Sequence, residues 1–349
     1  MPPPRIEPYL ADCRDLVVEE IRRITPPDGP WTGGLYALVL DYPLRGAKAL
    51  RPALCIATAR MLGAPLDAAL PTAAALELYH NAFLVHDDVE DGSELRRGKP
   101  SLPSVHGVPV SVNVGDAMLA LAMRPLLENT RLIGVRRSLA ILDVLTRMAQ
   151  RSAEGQAMEL GWVRNGSWAV APRDYLHMVY LKTAWYSFVA PMACGLIVAD
   201  GSRLEVQLRR LATMLGIAFQ IQDDVLNLME AGVEADVDSE RYGKEVAGDL
   251  WEGKRTLMLI HALACAPAAE AAEARRILDV PRSEKVKAEV AWLLAFVRRH
   301  GGIEEARRSA LQHARRAARI YAQITPELPP SIHRDFLGDL IGYVTERSW

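Results

Sequence analysis

Apolar residues recur at helical spacing in segment after segment of this 349-residue chain, and no stretch alternates with period two well enough to compete as a strand. A chain with that property has few options, because its apolar stripes can be buried only helix against helix. Half of the residues are hydrophobic and only 6% are aromatic, with alanine and leucine abundant, which suits long helices around a large core. Length alone would allow two domains. The uniform pattern instead predicts an all-α fold, one single large helical bundle over residues 1–349 around a central apolar cavity.

The expected helices run from Ile6 to Ile24, from about Lys48 through Met61, and through about Asp91 to a stop at Gly92-Ser93. A Gly- and Pro-rich loop precedes the second, and Pro103 through Val112 reads as a connector. Helical pattern resumes over Asn113–Asn129, Val135–Gly161, Arg173–Ala199 and Leu204–Leu228. A polar loop from Glu234 to Leu250 reads as a mobile flap, and Arg255–Ala264, Ser283–Arg299, Ile303–Ile324 and Ile332–Trp349 complete the bundle.

Composition excludes some functions. A net charge of −2 argues against nucleic acid as the main partner. Cys13, Cys55, Cys194 and Cys265 contain no CxxC pair, so neither a disulfide framework nor a zinc site is expected, and reduced cysteines point to the cytoplasm. The N-terminal MPPPRIEPYLADCR lacks an apolar signal region. Thr183–Ala199 carries no charge, but it is short and holds Ser187, Pro191 and Gly195, so a buried bundle helix is expected rather than a membrane span.

Chemistry concentrates first at Glu77–Pro100. Asp87 and Asp91 are four apart on one helix and share a face, with Asp88 and Glu90 beside them. Such crowded carboxylates call for a counter-cation, and magnesium suits oxygens that leave room for water and phosphate. Arg96 and Arg97 follow directly, adjacent guanidiniums of the kind that share a polyanion, most simply a diphosphate. Lys48 and Arg51, three apart near a helix start, oppose the helix dipole and also fit an anion. A second acidic cluster, Asp223, Asp224 and Asn227, precedes Lys244 and Lys254. Two acidic faces, each followed by cations, could close on one diphosphate through bridging metal.

In the segments GAKALRP, HNAFLVHDDVEDGSELRRGKP, GQAMEL, KTAWYSF, FQIQDDVLNL and GKEVAGDLWEGKRTL, taken in order, the chain resembles the trans-isoprenyl diphosphate synthase (polyprenyl synthetase) family, most nearly its geranylgeranyl and farnesyl diphosphate synthases. The resemblance implies a prenyltransferase that joins isopentenyl diphosphate head-to-tail to an allylic diphosphate (dimethylallyl, geranyl or farnesyl). It implies Asp87, Asp91 and Asp223 as ligands of Mg2+, three ions per active site, with Asp88 and Asp224 in support. Arg96, Lys182, Gln220, Lys244 and Lys254 match contacts to the allylic diphosphate; Lys48, Arg51, His80 and Arg97 match the isopentenyl diphosphate site. Thr183 and Gln220 would turn oxygens toward an allylic cation, no side chain stands out as the final base, and a homodimer is implied.

Three motifs depart from the family pattern: GAKALRP has Ala47 and Ala49 where the family often shows Gly and a basic residue, Glu159 stands where Asp is usual, and Asn227 replaces the last Asp of the second motif. A class I terpene cyclase or a non-catalytic regulatory subunit is the alternative; the first has no use for Lys48, Arg51, His80 and Arg97, and the second none for intact acidic and basic sets. For product length, Phe83 sits one turn before Asp87 and Tyr79 one turn further, and one turn is about 5.4 Å, close to an isoprene unit. Ala82 leaves the fifth position before Asp87 open, where in this family an aromatic tends to stop growth early. Geranylgeranyl diphosphate is the expected product, with farnesyl diphosphate the alternative.

Overall fold

A computed structural model describes residues 6–229 and 247–346. Helices α1 (Ile6–Ile24), α2 (Leu35–Leu44), α3 (Leu50–Met61) and α4 (Leu66–Glu90) lead to a two-residue hairpin, β1 (Leu95–Arg96) against β2 (Lys99–Pro100). Next come α5 (Leu102–His106), α6 (Val108–Leu121), α7 (Met123–Leu132) and α8 (Val135–Arg164). α9 (Pro172–Val179) continues through a π-helical stretch, Tyr180–Val189, into α10 (Ala190–Val198) and then α11 (Glu205–Met229). After residue 246 follow α12 (Gly248–Glu252), α13 (Leu257–Cys265), α14 (Ala268–Leu278), α15 (Lys287–Arg299), α16 (Gly302–Ile324) and α17 (Ile332–Glu346). The all-α expectation holds.

α4 is at the centre of the first half. Its alanines Ala68, Ala69, Ala73, Ala74 and Ala75 are all buried, and their small side chains let α1, α3, α6 and α7 approach from several sides. A helix so enclosed shows no clean amphipathic stripe. α11 plays the same part in the second half, packed along α16 and against the π stretch. Two apolar clusters result, and Met214 on α11 touches both.

Several local expectations need correction. The Gly- and Pro-rich loop before α3 contains α2, and the connector contains α5 and the start of α6. Prolines do not oppose this, because Pro103 and Pro109 occupy first-turn positions, where a missing N–H costs nothing, and Ser101 Oγ caps α5 by accepting from Ser104 N at 3.2 Å. α14 occupies a segment left unassigned. Lys48 lies outside α3: Ala49, at φ 51°, interposes a left-handed residue before the helix starts at Leu50, so Lys48 and Arg51 do not share a helical face.

The hairpin is a small exception to the helical pattern. Arg97 and Gly98 both have positive φ, 56° and 70°, the two-residue turn that fits strand twist. It separates neighbouring arginines, leaving Arg96 buried and Arg97 at the turn.

Among the described residues, two helical stretches are long and apolar enough to cross a membrane by length and composition alone. Pro172–Val198 is largely enclosed by the bundle, whereas less than half of Val108–Leu132 is buried.

Candidate active site

The ends of α4 and α11, the middle of α8, the π stretch and the chain after α12 surround a cleft of about 390 Å³. Asp87, Asp223 and Asp224 line it together with Lys182, Thr183, Gln220, Arg51, His80, Phe83, Arg96 and Lys254. Eleven candidates from distant parts of the sequence therefore border one space. Lys48, Arg97, Asp91, Tyr79 and Ala82 are outside its lining, and Lys244 is outside the described residues, as is most of the loop read as a flap.

Spacing explains part of this. Counting 100° per residue, His80 and Phe83 fall within about 40° of Asp87 on α4, while Ala82 is turned about 140° away. Ala82 is accordingly fully buried. Tyr79 stands behind Phe83, ring centroids 6.1 Å apart and edge-on.

Asp88 and Asp224 are anchors behind the front carboxylates. Asp88 is fully buried, takes Arg96 Nε at 2.9 and 3.1 Å, and accepts from Tyr42 Oη at 2.6 Å. Arg96 thus spends its fork on Asp88 while its Nη2 stays 3.8 Å from Asp87. On α11, Asp224 accepts from Tyr175 Oη at 2.6 Å and from Gln220 Nε2 at 2.7 Å, and Thr183 Oγ1 donates to Gln220 Oε1 at 2.7 Å. Burial pushes the Asp224 carboxyl up to about 7 despite those hydrogen bonds. Held on both oxygens and buried, it suits a positioning role behind Asp223.

Two lysines line the cleft, Lys182 from the π stretch and Lys254 from the chain after α12. Lys182 Nζ is 2.5 Å from Glu159 Oε2. Burial works against the charge on Lys182, but Glu159 and Asp87 outweigh it and raise the ammonium to about 12. Burial likewise opposes Glu159 and is overcome by Lys182 and Lys254, which hold it below the ordinary range. The longer Glu at this position reaches its lysine directly. Lys254 Nζ contacts Asp91 Oδ2 at 3.1 Å, pairs closely with Glu252 and is 4.0 Å from Asp249. Burial pushes Asp91 up to about 6 against the pull of Lys254.

A separate cationic cluster forms along the cleft. Arg51 Nη1 is 3.1 Å from His80 Nε2, its Nη2 donates to Ser187 Oγ at 2.8 Å, and its guanidinium lies 4.2 Å over the Tyr186 ring. Tyr186 Oη also pairs with His80 Nδ1. Arg97 donates to the Tyr42 carbonyl at 2.6 Å, and Lys48 lies 5.9 Å over the Tyr343 ring. Tyr42, Tyr175, Tyr186 and Ser187 were not anticipated. The latter two sit in KTAWYSF, but an ordinary helix there carries no signal for their facing Arg51 and His80.

The π stretch is held by two close approaches. A Cβ on Gly155 of α8 would come 2.5 Å from Lys182 N, and one on Gly216 of α11 2.5 Å from Ala184 Cα. Only glycine admits neighbours so near. Widened helical turns of this kind cluster at functional sites.

Magnesium fits this donor set. Among the described residues no three His, Cys, Asp or Glu side chains close into a cage. Carboxylates instead approach the cleft from α4 and α11, as suits an ion that keeps water and phosphate oxygens in its shell.

Residues 34–295 match the polyprenyl synthetase family model. The chain is 32% identical over 303 residues to a short chain isoprenyl diphosphate synthase of Methanothermobacter thermautotrophicus, covering 86% of this chain and 87% of the relative. The fold matches the geranylgeranyl pyrophosphate synthetase of Pyrococcus horikoshii with a TM-score of 0.83 and 29% identity over 98% of this chain and 99% of that one. It also matches a polyprenyl synthase of Caulobacter crescentus complexed with calcium and isoprenyl diphosphate, with a TM-score of 0.82 and 29% identity over 99% and 98% of the two chains. This chain belongs to the polyprenyl synthetase family, prenyltransferases that make isoprenyl diphosphates.

Proposed function

We propose that the protein condenses isopentenyl diphosphate head-to-tail with an allylic diphosphate through an allylic cation, and that its main product is geranylgeranyl diphosphate. The carrying observation is that Asp87 and Asp223 border one cleft with Lys182, while Arg51, hydrogen-bonded to His80, places a second cationic centre along the same space. Asp87, Asp91 and Asp223 would hold magnesium, which when bound would supply positive charge against the leaving allylic diphosphate. Lys182, Lys254 and Arg96 add fixed positive charge around that leaving group, preorganised by Glu159, Asp91 and Asp88. Arg51, His80, Lys48 and Arg97 hold isopentenyl diphosphate so that its double bond meets the allylic carbon. Thr183 and Gln220 turn oxygens toward the cation, and the released diphosphate accepts the final proton. Phe83, backed by Tyr79, forms the floor that ends growth. The second cationic cluster is what a terpene cyclase has no use for.

We read the chain as one domain, since both apolar clusters share α11 and the π stretch. A homodimer is supported by exposed apolar side chains on α6 (Val108, Val112) and on α8 (Val135, Leu139, Leu142). Buried free Cys13, Cys55 and Cys194 support a reducing, cytoplasmic setting.

The test is incubation of purified protein with labelled isopentenyl diphosphate, each allylic primer in turn and magnesium, with product lengths resolved. Twenty-carbon product from at least one primer is the expected result. No chain elongation with any primer, or cyclised hydrocarbon instead of a prenyl diphosphate, overturns the reading.

A further inference from the structure

Away from the cleft, α11 and α16 enclose a second hollow of about 840 Å³, bounded by Arg209, Arg210, Thr213 and Met214 on one side and Arg316, Arg319, Ile320 and Gln323 on the other, with Tyr180 at its edge. Four exposed arginines line it, two from each helix, and no carboxylate is among the lining residues described. None of the four makes an ion pair among the described residues. Neighbouring arginines do: Arg308 is 2.7 Å from Glu305, and Arg203 is 3.1 Å from Glu327. The chain carries 43 acidic residues against 41 basic ones, so a lack of acids is not the reason.

Like charges three apart on a helix, as Arg316 and Arg319 are, disfavour the fold by a few tenths of a kcal/mol. Arg209 and Arg210 add their field from the facing helix. Folding offers no return for this arrangement, whereas a multiply charged oxyanion does. Guanidinium forks bind phosphate oxygens in pairs, and several of them around one hollow favour a ligand of three or four negative charges over a single phosphate monoester. Tyr180, Met214 and Ile320 give the hollow an apolar border, which bounds the ligand to a small molecule and leaves space for an organic group beside the anion.

We propose that this hollow is a binding site for a diphosphate group, separate from the catalytic cleft. The ligand is either free inorganic diphosphate or a diphosphate ester. The site does not depend on the roles assigned within the cleft.

The experiment is calorimetric titration of the full chain with inorganic diphosphate in chelator-containing buffer, which withdraws metal-dependent binding at the cleft. Wild type is expected to bind saturably, with affinity falling as salt rises. Arg316→Ala/Arg319→Ala, and independently Arg209→Gln, should weaken binding by more than about tenfold with circular dichroism unchanged. Lys182→Ala and Arg51→Ala, one for each diphosphate position of the cleft, should retain it; loss of all binding in Arg51→Ala would return the site to the cleft and overturn the proposal. A short alkyl diphosphate serves as the second titrant: equal affinity identifies the free anion as sufficient, and tighter binding identifies the ester. Absence of saturable binding, or binding lost in Lys182→Ala but kept in the arginine variants, overturns the proposal. So does arginine-dependent sedimentation with phosphatidylglycerol vesicles without diphosphate binding, which would make the face a lipid-docking surface.

Discussion

Lys254 Nζ lies 3.1 Å from Asp91 Oδ2, joining the first acidic motif to a lysine 163 positions later. Both side chains are largely buried, and Glu252 pairs with the same ammonium. An unpaired buried charge is costly, typically 3–5 kcal/mol when one partner of a buried pair is removed. Lys254→Met should therefore lower stability by a few kcal/mol as well as turnover, whereas Lys254→Arg should recover most stability. Urea denaturation beside steady-state rates checks this; a Met variant as stable as wild type would show that the pair is not worth its geometry.

The front carboxylates should behave differently. Asp87→Ala and Asp223→Ala are expected to reduce turnover with magnesium by about 10²-fold or more, because they remove charge stabilisation of the leaving diphosphate. Their melting temperatures should stay within a few degrees of wild type. Near-normal rates in either variant would remove it from the metal site.

Separate clusters predict separable kinetics. Arg51→Ala, which loses contacts to His80, Ser187 and Tyr186, should raise KM for isopentenyl diphosphate more than KM for the allylic substrate. Lys182→Ala should chiefly depress kcat and also destabilise by leaving buried Glu159 without its ammonium. Adding Glu159→Gln to Lys182→Ala should restore stability but not turnover. Equal effects of Arg51→Ala and Lys182→Ala on both substrates would merge the two sites.

Product length is expected to follow Phe83. Phe83→Ala opens the space in front of Tyr79 and should lengthen the product by at least one isoprene unit, measured by chromatography of the dephosphorylated alcohols. Ala82→Phe puts a large side chain into a fully buried position and should cost about 1–3 kcal/mol through overpacking, beyond any shortening of product. An unchanged product from Phe83→Ala would place the floor on another helix.

One pH dependence is built into the fold near α12. Burial, with Arg255 and Arg282 nearby, pushes the Lys285 ammonium down to about 8 while its Nζ donates to the Trp251 carbonyl at 2.7 Å. Unfolding restores an ordinary lysine near 10.4. Between about pH 8 and that value the unfolded chain binds more protons, so stability from this group rises with pH through that window and is lost as pH falls through 8. The difference in urea stability between wild type and Lys285→Met should shift in wild type's favour from pH 7.5 to pH 9.5. A constant difference would contradict the shift.

Much of this was legible before any coordinates. Residues at i, i+3, i+4 and i+7 on one ideal helix share a face, so His80, Phe83 and Asp87 on α4, and Gln220 with Asp223 and Asp224 on α11, were predictable from spacing. Helix existence followed from apolar period for the same reason. Local geometry is a property of the chain itself.

Other features depend on neighbours distant in sequence. No local signal in LRRGKP separates Arg96 from Arg97; Asp88 and Tyr42 draw the first inward, and the turn carries the second away. Ala49 takes a left-handed conformation that alanine does not favour, which removes Lys48 from α3. The widened helix at Tyr180–Val189 is the clearest case. Alone, that segment prefers an α-helix; Gly155 and Gly216 bring α8 and α11 against its backbone, and the changed register turns Tyr186 and Ser187 toward Arg51 and His80. Sequence determined most of the long helices and the charged residues they present, because those follow from short-range periodicity; α2, α5 and α14 were not read from it. Tertiary structure decided which charges pair and where a helix departs from its ideal turn, because burial and close packing between remote segments set those energies.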